Sequence, residues 1–494
     1  MMYEPEKSDS AIVAVKLANK AAVSKAVAEP VEPRAGTKGN TQQSHTRRTQ
    51  CRSSVSQRLN RVRNAARQRR CEKFTALLHH MDFDLLLESF LALKRGAAAG
   101  VDKVTWEDYE AQLEGNLQDL HKRIHSGAYR ALPVTRVFIP KADGRQRPLG
   151  IAALEDKIVQ RATVAVLNAI YEEDFLGFSY GFRPKRGQHD ALDALSVAIS
   201  STPVNWILDA DIKGFFDAVN QDWLIRFLRH RIGDERIIRL VQKWLKAGVL
   251  EEGQWQSSDM GTPQGAVISP LLANIYLHYV FDLWAKQWRK REAKGKVIVV
   301  RYADDIVMGF ELGTDARRFL DVMRERFAQF GLELHGEKTR LIEFGRFAAY
   351  RRKRRGLGKP ETFTFLGFTF ICAKSRQGKF LLWRKTRADR MRAKLVEIRE
   401  QMRKRMHHTL PEQGAWLGSV VRGFNAYHAV PTNSRSIGAL RYHVVEIWWK
   451  SLRRRSQKSN LTWDRMTKLA AIWLPTPRIL HPWPQQRFAV KYPR

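Results

Sequence analysis

Two carboxylates stand side by side between two short apolar runs in Val297-Ile298-Val299-Val300-Arg301-Tyr302-Ala303-Asp304-Asp305-Ile306-Val307-Met308. β-Branched residues on both sides of a brief break predict a strand, a tight turn and a second strand. Such a hairpin anchors acids at its tip to a rigid sheet and can present them to a cation. Upstream, Trp206-Ile207-Leu208-Asp209-Ala210-Asp211-Ile212 predicts another apolar strand with acids at its far end. Residues two apart share one face of a strand, so Asp209 and Asp211 face together, whereas adjacent Asp304 and Asp305 point apart. The two segments together make a site for hard, oxygen-liganded cations such as Mg²⁺, suited to phosphoryl or nucleotidyl transfer. That chemistry places two ions roughly 4 Å apart between carboxylates. Asp211 and Asp304 are the expected bridging pair, Asp305 a weaker participant, and Asp209 a rival to Asp211.

Charge narrows the partners. Among 494 residues, 86 Lys and Arg oppose 50 Asp and Glu, a formal charge of +36. A chain this basic repels itself unless it meets a polyanion, and the commonest polyanion is nucleic acid. No long apolar span is present, so no membrane partner is expected. Cys51, Cys71 and Cys372 form no Cys-x-x-Cys pair, which argues against a disulfide framework and a structural zinc, and suits a reducing cytoplasm. The early apolar run at 11–15 is too short for a secretory signal. With 44% hydrophobic residues, a sizeable core and about two to four domains are expected.

Residues 1–50 lack a sustained period and predict a disordered leader. A run from Arg47 to Lys73 then carries Arg52, Arg58, Arg61, Arg63, Arg67, Arg69 and Arg70, with a partial stripe of Leu59, Val62, Ala65 and Ala66. The absence of compensating acids nearby favours phosphate contact. Residues 83–93 and 155–170 predict helices. Residues 134–141 predict a strand, Asp143-Gly144 a hairpin turn, and 145–151 the return strand, with Arg145 and Arg147 on one face. Residues 179–184 predict a loop, and 363–370 a single strand with alternating aromatics. Three helical stripes follow: Met391, Leu395, Ile398, Met402 and Met406; Trp416, Val420, Phe424 and Tyr427; Ile437, Leu440, Val444 and Ile447. They predict a small basic bundle separate from the sheet domain.

In this order the blocks resemble those of reverse transcriptases encoded by bacterial group II introns, which double as splicing maturases. The resemblance runs from about residue 55 to the C-terminus. It rests on Gly100-Val101-Asp102, the 137–151 hairpin, Ser179-Tyr180-Gly181-Phe182-Arg183-Pro184 and Asp211-Ile212-Lys213-Gly214-Phe215-Phe216-Asp217. Gly261-Thr262-Pro263-Gln264-Gly265, Tyr302-Ala303-Asp304-Asp305, Gly331-Leu332-Glu333-Leu334-His335 and Phe365-Leu366-Gly367-Phe368 complete it. Arg422-Gly423-Phe424-Asn425-Ala426-Tyr427-His428 is similar to the family's maturase region, with His428 where many members have Tyr.

The resemblance implies an α+β right-hand polymerase. A basic N-terminal extension and the start of the fingers would fill 51–130, and fingers and palm with an antiparallel sheet plus helices 131–372. An α-helical thumb/maturase domain would fill 373–456, and 457–494 would be its tail, with no endonuclease domain because the paired cysteines of that module are missing. It implies RNA-directed DNA synthesis with Mg²⁺ as cofactor. Asp211, Asp304 and Asp305 would be catalytic, and the carbonyl of Ile212 would join them as metal ligands. Lys141 and Arg147 would grip the incoming triphosphate. Phe215 would be the gate against which the sugar packs, leaving Phe216 to the core, and Gln264 and Gly265 would lie beside the nucleotide. Implied partners are group II intron RNA, an RNA template with a DNA or RNA primer, target DNA and dNTPs, with a homodimer left open. The implied location is a cytoplasmic, nucleoid-associated bacterial ribonucleoprotein. Two rivals remain: a reverse transcriptase of a defence or diversity-generating system, and an RNA-binding maturase without polymerase activity.

Overall fold

The computed structural model describes residues 42–140, 146–251, 254–256, 260–262, 265–455 and 461–491. Most of the expected leader, the Asp143-Gly144 turn with Lys141 and Arg145, and Gln264 lie outside the described residues. The chain divides into two compact units, each assembled from segments distant in sequence.

One unit takes the chain up to 184 together with 213–286 and 326–333. Its sheet begins with the expected hairpin, in which Val134–Pro140 pairs antiparallel with Gln146–Ile151. Val249–Glu251 joins the other edge of Val134–Pro140 in parallel, and Gln254–Gln256 completes the sheet. Helix Leu154–Asp174 runs past its expected end because Ile170 and Tyr171 continue a face that Ile158, Ala162 and Val166 keep fully buried. Helix Gln42–Gln68 packs against it through Val55, Val62 and Ala66. That helix starts inside the stretch expected to lack structure, because tertiary burial of a sparse stripe outweighs weak local propensity.

One expectation about basic residues changes here. Part of the Arg47–Lys73 run is answered by acids from distant segments. Arg58 pairs with Asp82, while Arg67 lies 3.1 Å and Arg63 3.8 Å from Glu173. The loop residue Arg183 is also internal: it ion-pairs with Glu172 at 3.1 Å and donates to the carbonyls of Leu176 and Ser179.

The second unit takes 185–212, 287–325 and 334–494. Its main sheet is antiparallel throughout, in the order Val297–Tyr302, Asp305–Phe310, Trp206–Asp211, Arg340–Glu343. The two hairpin strands are buried on both faces over nearly their whole length, which explains their continuous apolar runs. Helix Gln188–Ser201 packs on Val297–Tyr302 and buries Ala191, Leu192, Leu195 and Ala198.

The stretch expected as one strand at 363–370 is a hairpin instead. Leu366 and Gly367, at φ 45° and 79°, turn Phe363–Phe365 back onto Phe368–Lys374. Two consecutive residues with positive φ make the tight turn that matches strand twist. The alternation survives because Phe363 and Phe370 face each other across the pair, their rings stacked at 4.8 Å. Phe380–Thr386 adds the third strand.

Helices Ala388–Lys404, Leu410–His428 and Ser434–Arg453 then surround an apolar core, as their periodicity predicts. In the middle helix the buried residues include Gln413, Leu417, Val421, Phe424 and His428, one residue on from the expected stripe over its first half, so Trp416 and Val420 only flank the core. A fourth helix, Trp463–Trp473, adds Met466 and Ala470. Its Trp473 ring closes over Gly414, where an added Cβ would lie 2.5 Å away. Among the described residues no helix is long and apolar enough to cross a membrane.

Candidate active site

The acids expected to act together gather at one end of the antiparallel sheet. Tyr302 pairs with Asp305 across the hairpin, leaving Ala303 and Asp304 as a two-residue turn. Asp305 stands opposite Asp211 in the next strand. Ala303 adopts φ 56°, a left-handed conformation that costs a residue with a side chain roughly 1–2 kcal/mol. The fully buried Arg301 donates from Nη1 to the Ala303 carbonyl at 3.0 Å and so holds the turn from beneath. Strain maintained by its surroundings is characteristic of functional turns.

Asp211 is braced from the segment that follows Leu334. The backbone N–H of His335 donates to the Asp211 carbonyl at 2.8 Å, and the Thr339 hydroxyl accepts from the Asp211 N–H at 3.4 Å. Lys338 Nζ donates to the Asp211 carboxylate at 2.9 Å. Ile212 bridges to Leu334 and buries its side chain. Lys338, Thr339 and Arg301 were not singled out in the sequence. The signal available was a Lys-Thr pair just beyond the Gly-Leu-Glu-Leu-His block, meaningful only once that block lies beside Asp211.

Two of the acids are held well above the usual carboxylate range. The Asp305 carboxyl is pushed up to about 7 by desolvation among the surrounding elements, then by Asp304, Asp211 and Asp209, with Lys338 opposing. Asp305 is exposed at the end of its strand, so the like-charge crowding is the more telling cause. Asp209 is likewise raised to about 7, by burial and then by Asp211, while Arg340 opposes. Arg340 sits opposite Asp209 in the adjacent strand, so the rival acid already faces a cation within the sheet.

This carboxylate cluster fits a hard divalent cation. Like charges held together are relieved by positive charge, and the Lys338 ammonium already occupies one carboxylate as a stand-in. Among the described residues no three His, Cys, Asp or Glu side chains converge to enclose an ion by themselves. An open site is compatible with Mg²⁺, which takes one or two carboxylates and completes its shell with water and substrate phosphates.

The residues expected to handle the nucleotide belong to the other unit. Phe215 opens the short helix Phe215–Ala218 and is buried, its ring edge-on to Phe216 at 5.5 Å and Tyr276 at 6.5 Å. Phe216 is the more exposed ring, the reverse of the expectation that it fills the core. Gly261 and Thr262 hydrogen bond to the carbonyls of Val219 and Phe216, which ties the start of the Gly-Thr-Pro-Gln-Gly block to the Phe215 turn. Gly265 has φ 105°, and a Cβ there would lie 2.6 Å from the Gly150 carbonyl. Its close approach is thus to the hairpin's return strand. The backbone of Arg147 sits in that strand opposite Ile139.

Residues 139–370 match the family described as reverse transcriptase (RNA-dependent DNA polymerase). Protein YkfC of Escherichia coli is 34% identical over 324 residues, covering 58% of this chain and 80% of that protein. The chain belongs to the reverse transcriptase family, the RNA-directed DNA polymerases. Within that family, the chain is similar to proteins encoded by introns, a group II intron among them. The group II intron-encoded protein LtrA of Lactococcus lactis is 33% identical over 243 residues, 48% of this chain and 40% of LtrA. A 91 kDa protein in the cob intron of Schizosaccharomyces pombe is 34% identical over 230 residues, 46% of this chain and 28% of that protein. The chain therefore spans less than half the length of these intron-encoded relatives.

Proposed function

We propose that this chain copies RNA into DNA with two Mg²⁺ ions held by Asp211, Asp304, Asp305 and the carbonyl of Ile212, and that it binds a group II intron RNA as its splicing maturase and supports intron mobility. The observation that carries the catalytic reading is the register that sets Asp305 opposite Asp211 with Asp304 at the adjoining tip. Bound there, the ions would activate a primer 3′-hydroxyl and neutralise charge on the α-phosphate and the departing pyrophosphate. Lys338 shares the charge of Asp211 until substrate arrives, and Arg301 keeps the turn in its strained form. Lys141 and Arg147 grip the triphosphate, Phe215 excludes a 2′-hydroxyl, and Gln264 and Gly265 contact sugar and base. In this reading 131–372 are fingers and palm, 51–130 their basic extension, and 373–456 with the tail 457–494 the thumb and maturase region. The basic surfaces hold structured intron RNA chiefly through phosphates and shape.

The test pairs two assays on wild type and Asp304→Ala. RNA-templated primer extension with Mg²⁺ should be abolished in the variant. Splicing of RNA transcribed from the gene's own locus, at low Mg²⁺, should be restored by both proteins. Near-normal extension by the variant removes the acid assignment. Failure of both proteins to restore splicing, with extension intact in wild type, removes the intron partnership.

A further inference from the structure

Between the strands Arg340–Glu343 and Phe363–Phe365 the chain makes an excursion that the acid cluster does not use. It reads Arg346-Phe347-Ala348-Ala349-Tyr350-Arg351-Arg352-Lys353-Arg354-Arg355-Gly356-Leu357-Gly358-Lys359, without a single acid. Its central helix, Ala348–Arg354, has two distinct faces. The inner face is fastened down. Ala348 is buried, Arg352 donates to the Gly358 carbonyl at 3.1 Å and pairs with Glu361 at 3.5 Å, and Arg355 pairs with the buried Glu343. Arg346 donates to the Ser200 carbonyl at 3.1 Å.

The outer face carries Phe347, Tyr350, Arg351 and Arg354, spaced as i, i+3, i+4 and i+7 and so aligned on one side of the helix. Phe347 is 47% and Tyr350 64% exposed, which is unusual for rings on a surface that gains nothing from showing them. The Arg351 guanidinium lies 5.9 Å from the centre of the Phe347 ring, and that of Arg354 5.9 Å from the Tyr350 ring. Among the described residues neither Arg351, Lys353, Arg354 nor Lys359 has an ion-pair partner. The outer face therefore offers flat rings and uncompensated cations on a helix whose inner arginines are already committed to holding it in place.

We propose that this face is a platform for unpaired RNA, with bases stacking on Tyr350 and Phe347 and phosphates seated against Arg351, Lys353 and Arg354. Rings alternating with guanidinium groups take single strands without regard to sequence, since every base has a π-face. A duplex hides those faces and would engage only the cations. An acidic protein partner would satisfy the charges and leave the rings without purpose. The choice of RNA over single-stranded DNA rests on the reading above that this chain handles an RNA template and an intron.

The experiment uses the full chain and a single-stranded RNA of about 20 nucleotides carrying 4-thiouridine, a length that spans more than one stacking site. Photocrosslinked peptides mapped by mass spectrometry should include the one bearing Phe347 and Tyr350. Phe347→Ala with Tyr350→Ala should weaken single-strand binding by roughly thirtyfold or more and leave blunt duplex RNA unchanged. Arg351→Gln with Arg354→Gln should weaken both ligands and lower the single-strand salt slope by about 1–2. Absence of the crosslink, or equal loss on duplex and single strand in the ring variant, overturns the platform. A single-stranded DNA of the same sequence that alone loses affinity overturns the assignment to RNA. Primer extension by wild type is read separately, so a failed polymerase reading and a failed platform are told apart.

Discussion

Asp193→Ala should be among the costlier single substitutions in this chain. Helix Gln188–Ser201 buries Asp190 and Asp193, and Arg384 Nη1 lies 2.8 Å from Asp193 Oδ1 with the two side chains 3% and 6% exposed. Arg487 reaches Asp190 at 3.2 Å and Asp193 at 3.5 Å. Burial pushes the Asp193 carboxyl up and the Arg384 guanidinium down from their ordinary values, as expected when two charges leave water and keep each other ionised. Removing Asp193 leaves Arg384 buried and facing a second guanidinium, while Arg487 keeps Asp190. Breaking a buried pair from one side costs about 3–5 kcal/mol, against about 0–1 kcal/mol for an exposed pair. At about 2–4 °C per kcal/mol for a unit of some 150–250 residues, the midpoint falls by roughly 6–20 °C. Asp193→Leu with Arg384→Met removes both charges and should recover most of that loss. Calorimetry measures the midpoints, and primer extension well below them checks that the hairpin strand packed on this helix still works. A single-variant loss under about 1 kcal/mol would mean that water reaches the pair, and a double variant no more stable than the single one would refute the compensation argument.

Two further outcomes can be measured directly. Gly265→Ala combines a Cβ 2.6 Å from the Gly150 carbonyl with φ 105°, so the backbone around Gly265 must shift; the KM for dNTP should rise several-fold alongside a loss of stability from the strain, and an unchanged KM removes Gly265 from nucleotide handling. His428 is buried with Nδ1 3.3 Å from the Thr386 hydroxyl, and burial followed by the nearby Arg390 pushes it down to about 4. The unfolded chain takes that proton near pH 6.5 and the folded one only near 4, so the contribution of His428 is full above 6.5 and falls by about 3 kcal/mol as pH drops through that window. Measured as wild type minus variant, His428→Phe should remove that contribution; His189, lowered by burial to about 3, keeps its own in both proteins, and Asp209 and Asp305, raised to about 7, titrate with the opposite sign in both. Urea titrations from pH 7 to pH 4 measure both slopes.

Some of the molecule was readable from local patterns. Apolar runs bounding Asp304 and Asp305 are short-range information, and the hairpin they predict forms with a two-residue turn. The three C-terminal stripes became helices, since a repeat near 3.6 leaves little choice of structure once a core is available. Where the local signal was balanced, reading failed in identifiable ways. The Leu366-Gly367 turn is invisible in an alternating aromatic pattern, because a two-residue hairpin preserves the alternation on both strands. Helix Gln42–Gln68 begins earlier than its composition suggests, since the surface that orders it lies about a hundred residues downstream on Leu154–Asp174.

The candidate site divides along the same line. Which residue types could hold a cation, and which strands carry them, followed from the sequence alone, because an acid at the end of an apolar strand is a local fact. That Asp305 faces Asp211, that Arg340 answers Asp209, and that Lys338 and Thr339 brace Asp211 are decided by strand register and chain return. The same holds for charge. The sequence sets a net +36, but only packing commits Arg58, Arg183, Arg231 and Arg384 to internal acids and leaves Arg351 and Arg354 facing outward. Composition counts charges. Their partners depend on distances of a few ångströms between residues far apart in the chain, and those distances exist only once it is folded.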